Sequence, residues 1–501
     1  MKKAAIWVLC SRVVVSLVVV AVSLIGLGPV AAQQAKVGGP PTNTAAWALA
    51  RYAVALKYED LPADVVAITK RHILDTVGVA LGAYTAPSIG VIRDVIMTEG
   101  GTPESTVLGS GQKTSVVNAT VINGSMIRYL DFMDTYWSDK AYGYMHPCNS
   151  IAEALSMAER QHASGKDLIV ATVLAYEIQS RLVDTFVFPH ISQHTGAGFT
   201  APVVAGKLLG LNAEQMANAI GIAGSRNFTI EGVYGIGFVS DMKEYGYAAG
   251  SGNGVMAALL AQKGLTGPVT IIESYQKGFE KNQSLDPLIA PRKEFKISQA
   301  WMKPYEANHV SHSAIAGVIQ IVTEHNIKPD QVEKVDVRGL PTQPEGVEPL
   351  RFLTQGTFGA IRYKNDADHN LAYLLSMAIL DHEVGPDQFD KEQWKDPKVQ
   401  ELMSKMEFKG DMELVKDFPR LWTCIVQITT KDKQVYTQRV DLPKGGPKNP
   451  FTDKELEAKF SKLVTKLMPQ AQADQIIKTI YDLDKLDDVS GLMKLLIVAK
   501  K

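Results

Sequence analysis

His194 to Leu211 reads HTGAGFTAPVVAGKLLGL, and Ala248 to Leu265 reads AAGSGNGVMAALLAQKGL. Both stretches are unusually rich in Gly and Ala. Small side chains let helix backbones approach closely, so the two are read as central helices of a bundle, with tight packing accounting for most of their composition. Working outward, helical patterns follow one another from Thr44. Leu61 and Pro62 open one segment, with Val66, Ile73 and Val77 at helical spacing on one side. Asn149 is placed to cap another, which turns Ile151, Leu155 and Ala158 inward and stops before Gly165.

The texture changes after about residue 293. EKVDVRG from Glu333 and WTCIVQITTKDKQVYTQRVDL from Trp422 have β-branched alternation, the second around a KDK turn suited to a hairpin. HNLAYLLSMAIL from His369 is helical between them. Beyond KGGPKNP (Lys444 to Pro450), TDKELEAKFSKLV has a capping-type start and is helical again. The expected architecture is mostly α: a large all-helical domain at 44–292, a smaller α+β lid domain at 293–445, and C-terminal helices at 446–501 that rejoin the helical domain.

At 501 residues the chain exceeds the size at which single cores stop growing, about 250 to 300, and its 46% hydrophobic content can fill a large core. Lys2 and Lys3, an uncharged stretch from Val13 to Leu27, then Gly28, Pro29 and small residues to Ala32 form a secretory signal pattern, with cleavage expected after Ala32. That predicts a periplasmic or secreted protein. The rival reading is an uncleaved anchor, because Val13 to Val30 approaches bilayer-spanning length. Residues 33–43, QQAKVGGPPTN, have linker composition. Losing Lys2, Lys3 and Arg12 takes the net charge from −1 to −4, which gives no reason to expect nucleic acid as a partner. Cys148 and Cys424 are the thiols left after processing. Two cysteines cannot by themselves ligate an ordinary iron–sulfur cluster, and whether they pair is left open.

Metal-binding HExxH and paired CxxC motifs are absent, as are the phosphate-binding GxxxxGK[ST] and the GxSxG nucleophile elbow; YGIGFVS near Gly235 is not a dinucleotide fingerprint. What remains is acid–base chemistry without a cofactor. The densest polar group is LDFMDTYWSDKAYGYMHP, Leu130 to Pro147, which sets Asp131, Asp134, Thr135 and His146 between two apolar helical stretches. Loops between helices commonly carry reactive side chains. In isolation, however, composition favours a solvated turn with a capping Asp.

The sequence resembles the MmgE/PrpD family, in particular its 2-methylcitrate dehydratase branch. The matching marks, in order, are TPESTVLGSG from Thr102, NGSMIRYLDFMDT from Asn123, HPCNS from His146, GKLLGLNAEQMANAIGIA from Gly206, MKEYGYAAGSGNGVMAALLAQKGLTGP from Met242 and MKPYEANHVSHSAI from Met302. The resemblance implies a homodimer with a cleft between helical and lid domains. It also implies metal-free lyase or isomerase chemistry on small di- or tricarboxylates. By motif position it assigns Asp131, Thr135, His146, His194 and Lys243 to catalysis and Lys303, Tyr305 and His312 to substrate binding. His194 is preferred to His190 because it directly precedes Thr195 and Gly196. Three departures stand out: Met133 where the family has Asp or Asn, a slightly longer segment between Thr135 and His146, and Gly252 where the cis-aconitate decarboxylase branch has a lysine. The last argues against the decarboxylase reading.

The expected mechanism has His146 transferring a proton with Asp131 orienting it, and His194 in the complementary acid–base role. Thr135 would hydrogen-bond the substrate, while lysines stabilise developing negative charge. Competing readings are an isomerase or epimerase of a related dicarboxylate, and a periplasmic carboxylate-binding protein. The long helical run does not suit the two α/β lobes usual for the latter.

Overall fold

A computed structural model describes residues 39–139, 143–186, 193–229, 239–279, 281, 283–291, 294–340 and 361–498. The leader segment, His190 and residues 234–238 of the YGIGFVS stretch lie outside the described residues. Thr42–Lys501 form one compact unit, mostly α-helical.

The helices used below are α1 (Ala45–Ala55), α2 (Ala63–Gly82), α3 (Val116–Tyr129), α4 (Ile151–Arg160), α5 (Gly165–Thr185), α6 (Ala197–Leu208), α7 (Ala213–Arg226), α8 (Met242–Gln262), α9 (His312–Glu324), α10 (Leu371–Asp381) and α11 (Asp453–Val464). Local chemistry sets many of their starts. Thr44 and Ser115 accept from backbone N–H groups as caps, while Ser164 with Asp167, Asn212 with Gln215 and Thr452 with Glu455 form capping boxes. Asn149 does not cap α4; it lies in a 3₁₀ turn, Pro147–Ser150, that leads into the helix.

Helix α8 is central because its small residues leave room on several sides. A Cβ on Gly252 would lie 2.6 Å from Val121 of α3, and one on Gly254 would lie 2.5 Å from the Ala201 Cβ of α6. Both distances are below normal contact, so glycine is what lets the three helices touch. The remaining buried apolar residues of this bundle include Leu456, Phe460 and Leu463 of α11. A Cβ on Gly78 of α2 would sit 2.8 Å from the Phe460 ring.

A second apolar cluster is built from residues 307–428. Strands Val332–Leu340, Met406–Gly410, Cys424–Thr430 and Val435–Val440 form one sheet. The first pairs parallel with the second and antiparallel with the third, and the third and fourth form the hairpin around the KDK turn. Ile315 and Val318 of α9, with Leu374 and Met377 of α10, are buried in the same cluster as the inward faces of the sheet. Cys148 lies in the first core and Cys424 in the second, and both are free thiols. Among the described residues no single helix is long and apolar enough to cross a membrane.

Candidate active site

Backbone pairing assembles the site. Tyr136–Trp137 pair antiparallel with Tyr144–Met145, so Thr135 and His146, eleven residues apart, flank the same short ladder and meet at its end. Thr135 and Trp301 exchange both backbone hydrogen bonds, 2.9 and 2.8 Å, which draws Lys303 alongside Asp131. The Ala307 N–H donates to the Asp131 carbonyl at 3.1 Å, and the Asn308 N–H donates to the Asp368 carbonyl at 2.9 Å. Segments near 130, 146, 303 and 369 thereby converge on one cleft, lined by Arg128, Asp131, Trp137, Tyr144, His146, Lys303, Asn308, His309, Val310 and His369. Its volume is about 20 Å³, enough for a water molecule and too little for a tricarboxylate, so a substrate of that size requires the walls to part.

Hydrogen bonding fixes the form of His146. Its Nδ1 lies 2.7 Å from the Asp134 carbonyl oxygen, which can only accept, so Nδ1 carries the proton and the Nε2 of the neutral ring carries a lone pair. The Thr135 hydroxyl oxygen is 3.1 Å from the same Nδ1. Burial, followed by the Arg128 and Lys303 cations, holds the His146 pKa well below its ordinary value and keeps the ring neutral. The orienting group is therefore the Asp134 carbonyl, not the Asp131 carboxylate. Asp134 is itself anchored, its carboxylate lying 2.7 Å from His72 Nδ1 and accepting from Tyr176 and from the Cys148 N–H at 3.3 Å.

Asp131 instead belongs to a buried ion network. Its Oδ1 accepts from Lys303 at 2.7 Å and lies 3.6 Å from Arg128, and its Oδ2 lies 3.7 Å from His369 Nε2. Burial alone would raise the Asp131 pKa, but Lys303, Lys243, His369 and Arg128 outweigh it and hold the group well below the carboxylate range. Burial pushes Lys303 down to about 8, with Asp131 offsetting part of the shift. Lys243 does not line the cleft. It is completely buried behind it, 2.8 Å from Asp368, and Lys364 approaches the same Asp368 oxygen at 2.8 Å.

The other expected residues stand further back. Tyr305 packs on His312, ring centroids 5.6 Å apart, and His312 lies behind His309 at 5.3 Å; neither lines the cleft. His194 is buried against α8, where a Cβ on Gly246 would lie 2.5 Å from its Nδ1, and burial lowers its pKa to about 3. It is likewise absent from the lining. Gly252 faces Val121, so a longer side chain there has no path to the cleft without repacking. Met133 is wholly buried, with its sulfur 3.7 Å from Arg128.

Arg128, His309 and His369 line the cleft without having been singled out in the sequence. Two of them lie inside quoted motifs, NGSMIRYLDFMDT and MKPYEANHVSHSAI, which was the available signal. His369 lies in a stretch legible only as a helix start. His309 Nδ1 accepts from the Trp137 indole N–H at 3.2 Å, so its neutral ring carries the proton on Nε2, and its ring stacks on Trp422 at 4.5 Å. Asp131, Asp368 and His369 offer donor atoms within 4.8 Å of one another, a spacing that could hold a cation. Lys303, Lys243 and Lys364 already neutralise those carboxylates, so the cluster is better described as an ion-pair network. A roomier cavity of about 310 Å³ is lined by Phe132 and Pro304; its described lining residues include no histidine, and its Lys462 and Lys466 pair with Glu383 and Asp387.

The MmgE/PrpD N-terminal domain matches residues 47–287 and the MmgE/PrpD C-terminal domain matches residues 305–484. The chain belongs to the MmgE/PrpD family. It is similar to the human cis-aconitate decarboxylase, 26% identical with 88% of this chain and 92% of the relative covered. The mitochondrial 2-methylcitrate dehydratase of Yarrowia lipolytica is 22% identical over 81% of each chain. The 2-methylcitrate dehydratase of Escherichia coli strain K12 is 22% identical, covering 69% of this chain and 74% of the relative. Similarity within the family thus extends to both decarboxylases and dehydratases.

Proposed function

We propose that this protein is a cofactor-independent lyase that dehydrates a small 2-hydroxy tricarboxylate such as 2-methylcitrate by acid–base catalysis. The observation that carries this reading is the pairing, in one buried cleft, of a neutral His146 whose Nε2 lone pair is set by the Asp134 carbonyl with the cations Arg128 and Lys303. Among the described lining residues two cations stand against one carboxylate, Asp131, which favours an anionic ligand. They also oppose the negative charge that builds next to a carboxylate as its neighbouring C–H bond breaks. His146 is in the protonation state that a base requires, and a positioned base contributes roughly 10² to 10⁴-fold in rate.

Decarboxylation is the second reading, favoured by the 26% identity to the human cis-aconitate decarboxylase over 88% of this chain. Loss of carbon dioxide would use the same cations and would need a proton delivered to carbon. Incubating the purified protein with citrate, 2-methylcitrate, cis-aconitate and related dicarboxylates in deuterated water, followed by NMR, separates the outcomes. Alkene formation from a hydroxy acid supports dehydration, and carbon dioxide release supports decarboxylation. Deuterium uptake without either product supports an isomerase or epimerase. Tight binding with no exchange would sink the enzyme reading in favour of a binding protein. We further propose export, on the strength of the leader, and a homodimer; cell fractionation and light scattering test these.

A further inference from the structure

A base alone does not complete an elimination, because the departing oxygen needs a proton. Among the described residues lining the cleft, three histidines could supply one. His146 presents a lone pair there. His309 presents an N–H from a ring whose Nδ1 is occupied as an acceptor of the Trp137 indole proton, and a neutral imidazole N–H is a very weak acid.

His369 differs from both. Its Nδ1 faces two groups that can only accept in their ionised or carbonyl forms, the Asp368 carboxylate and, at 3.1 Å, the Asn365 carbonyl. Its Nε2 faces a second carboxylate, Asp131, at 3.7 Å. Both ring nitrogens therefore have anionic acceptors, the arrangement that accommodates an imidazolium. Asp368 is kept ionised by Lys243 and Lys364, each at 2.8 Å, although burial alone would disfavour its charge. The groups facing this dyad are Asp131 and Arg128 from the end of α3, Lys243 and Glu244 from α8, Lys303 and Glu306 from the loop before α9, and Lys364 beside it.

We propose that His369, backed by Asp368, is the proton donor of the cleft, and that Lys243 acts as a positioning residue through Asp368 without touching substrate. The inference rests on the lyase reading. In a dehydration, the C–H bond breaks and its proton passes to His146 Nε2. The electron pair of that bond forms the C=C, the C–O bond breaks with its pair leaving on oxygen, and His369 Nε2–H supplies the proton that makes water. In a decarboxylation, the pair left on carbon when carbon dioxide departs takes the same proton, so the donor serves either outcome.

The test compares wild type with His369→Gln, Asp368→Asn and His146→Gln in deuterated water, following product and substrate deuteration by NMR. Circular dichroism and thermal melting establish that each variant is folded. His369→Gln is expected to lose about 10² to 10⁴-fold in kcat while still exchanging the substrate C–H, because His146 is intact. His146→Gln is expected to lose exchange and product together. Asp368→Asn is expected to show the same split, with product lost and exchange retained, since the imidazolium loses the carboxylate that orients it. A folded His369→Gln enzyme with wild-type kcat, or one that loses exchange and product in equal measure, would overturn the assignment. Wild type that turns over none of the compounds would defeat the lyase reading, and this inference with it.

Discussion

The Asp131 carboxylate and the Lys303 ammonium stand 2.7 Å apart with side chains 4% and 1% exposed, so neither charge has water to fall back on. Removing one partner strands the other. Lys303→Met and Asp131→Asn are each expected to destabilise the fold by about 3 to 5 kcal/mol, whereas the double variant should recover part of that loss, because neither member of the pair is then left charged without the other. Urea unfolding of the three variants measures the coupling; strictly additive losses would refute it.

Lys303 also predicts a pH limit on activity. Burial lowers its pKa to about 8, so the charged form that would hold a substrate carboxylate is lost as pH rises through that value. We expect kcat/KM to fall above about pH 8. In Lys303→Arg the limb should disappear, whatever the residual activity, because guanidinium stays protonated. An unchanged alkaline limb in that variant would show that another group titrates.

Acid should unfold the protein through its buried histidines. Burial lowers the pKa of His194 and of His312 to about 3, and those of His146 and His309 lie well below the ordinary value. In the unfolded chain each takes up a proton near pH 6.5. Between about 6.5 and 3 the unfolded state therefore binds more protons, and stability falls as pH falls. The urea midpoint should drop from pH 7.5 to pH 5, with a shallower slope in His312→Gln. A flat profile over that range would contradict the assignment.

Two glycines separate packing from propensity. Gly254→Ala on α8 would drive a methyl to 2.5 Å from Ala201, and we expect a cost of about 1 to 3 kcal/mol from overpacking. Gly278, in the helix Ile271–Phe279, has nothing within 4 Å of an added Cβ. Gly278→Ala should instead stabilise by about 0.5 to 1 kcal/mol through helix propensity. Thermal melting of the pair distinguishes them.

Much of this architecture was legible because its cause is local. The capping start at Thr452 and the KDK hairpin were read from residues a few positions apart, and the boxes the structure adds at Ser164 and Asn212 have the same local cause. The small residues of the Ala248 stretch likewise announce close helix contact, here with Ala201 and Val121. Asp131, Thr135, His146 and Lys303 could be singled out because they occupy family motifs. What those residues touch was not legible. The orienting role expected of Asp131 falls to Asp134: the first joins an ion network and the second orients His146, through a backbone carbonyl that no side-chain pattern reports. His369 reaches Asp131 from 238 positions along the chain because the Asn308 N–H bonds the Asp368 carbonyl and the Ala307 N–H bonds that of Asp131. The sequence by itself determined the helices, many of their caps though not the one expected at Asn149, and the family. Only the tertiary structure decided which titratable groups face one another, since a pKa and a tautomer follow from burial and through-space neighbours, which chain order does not encode.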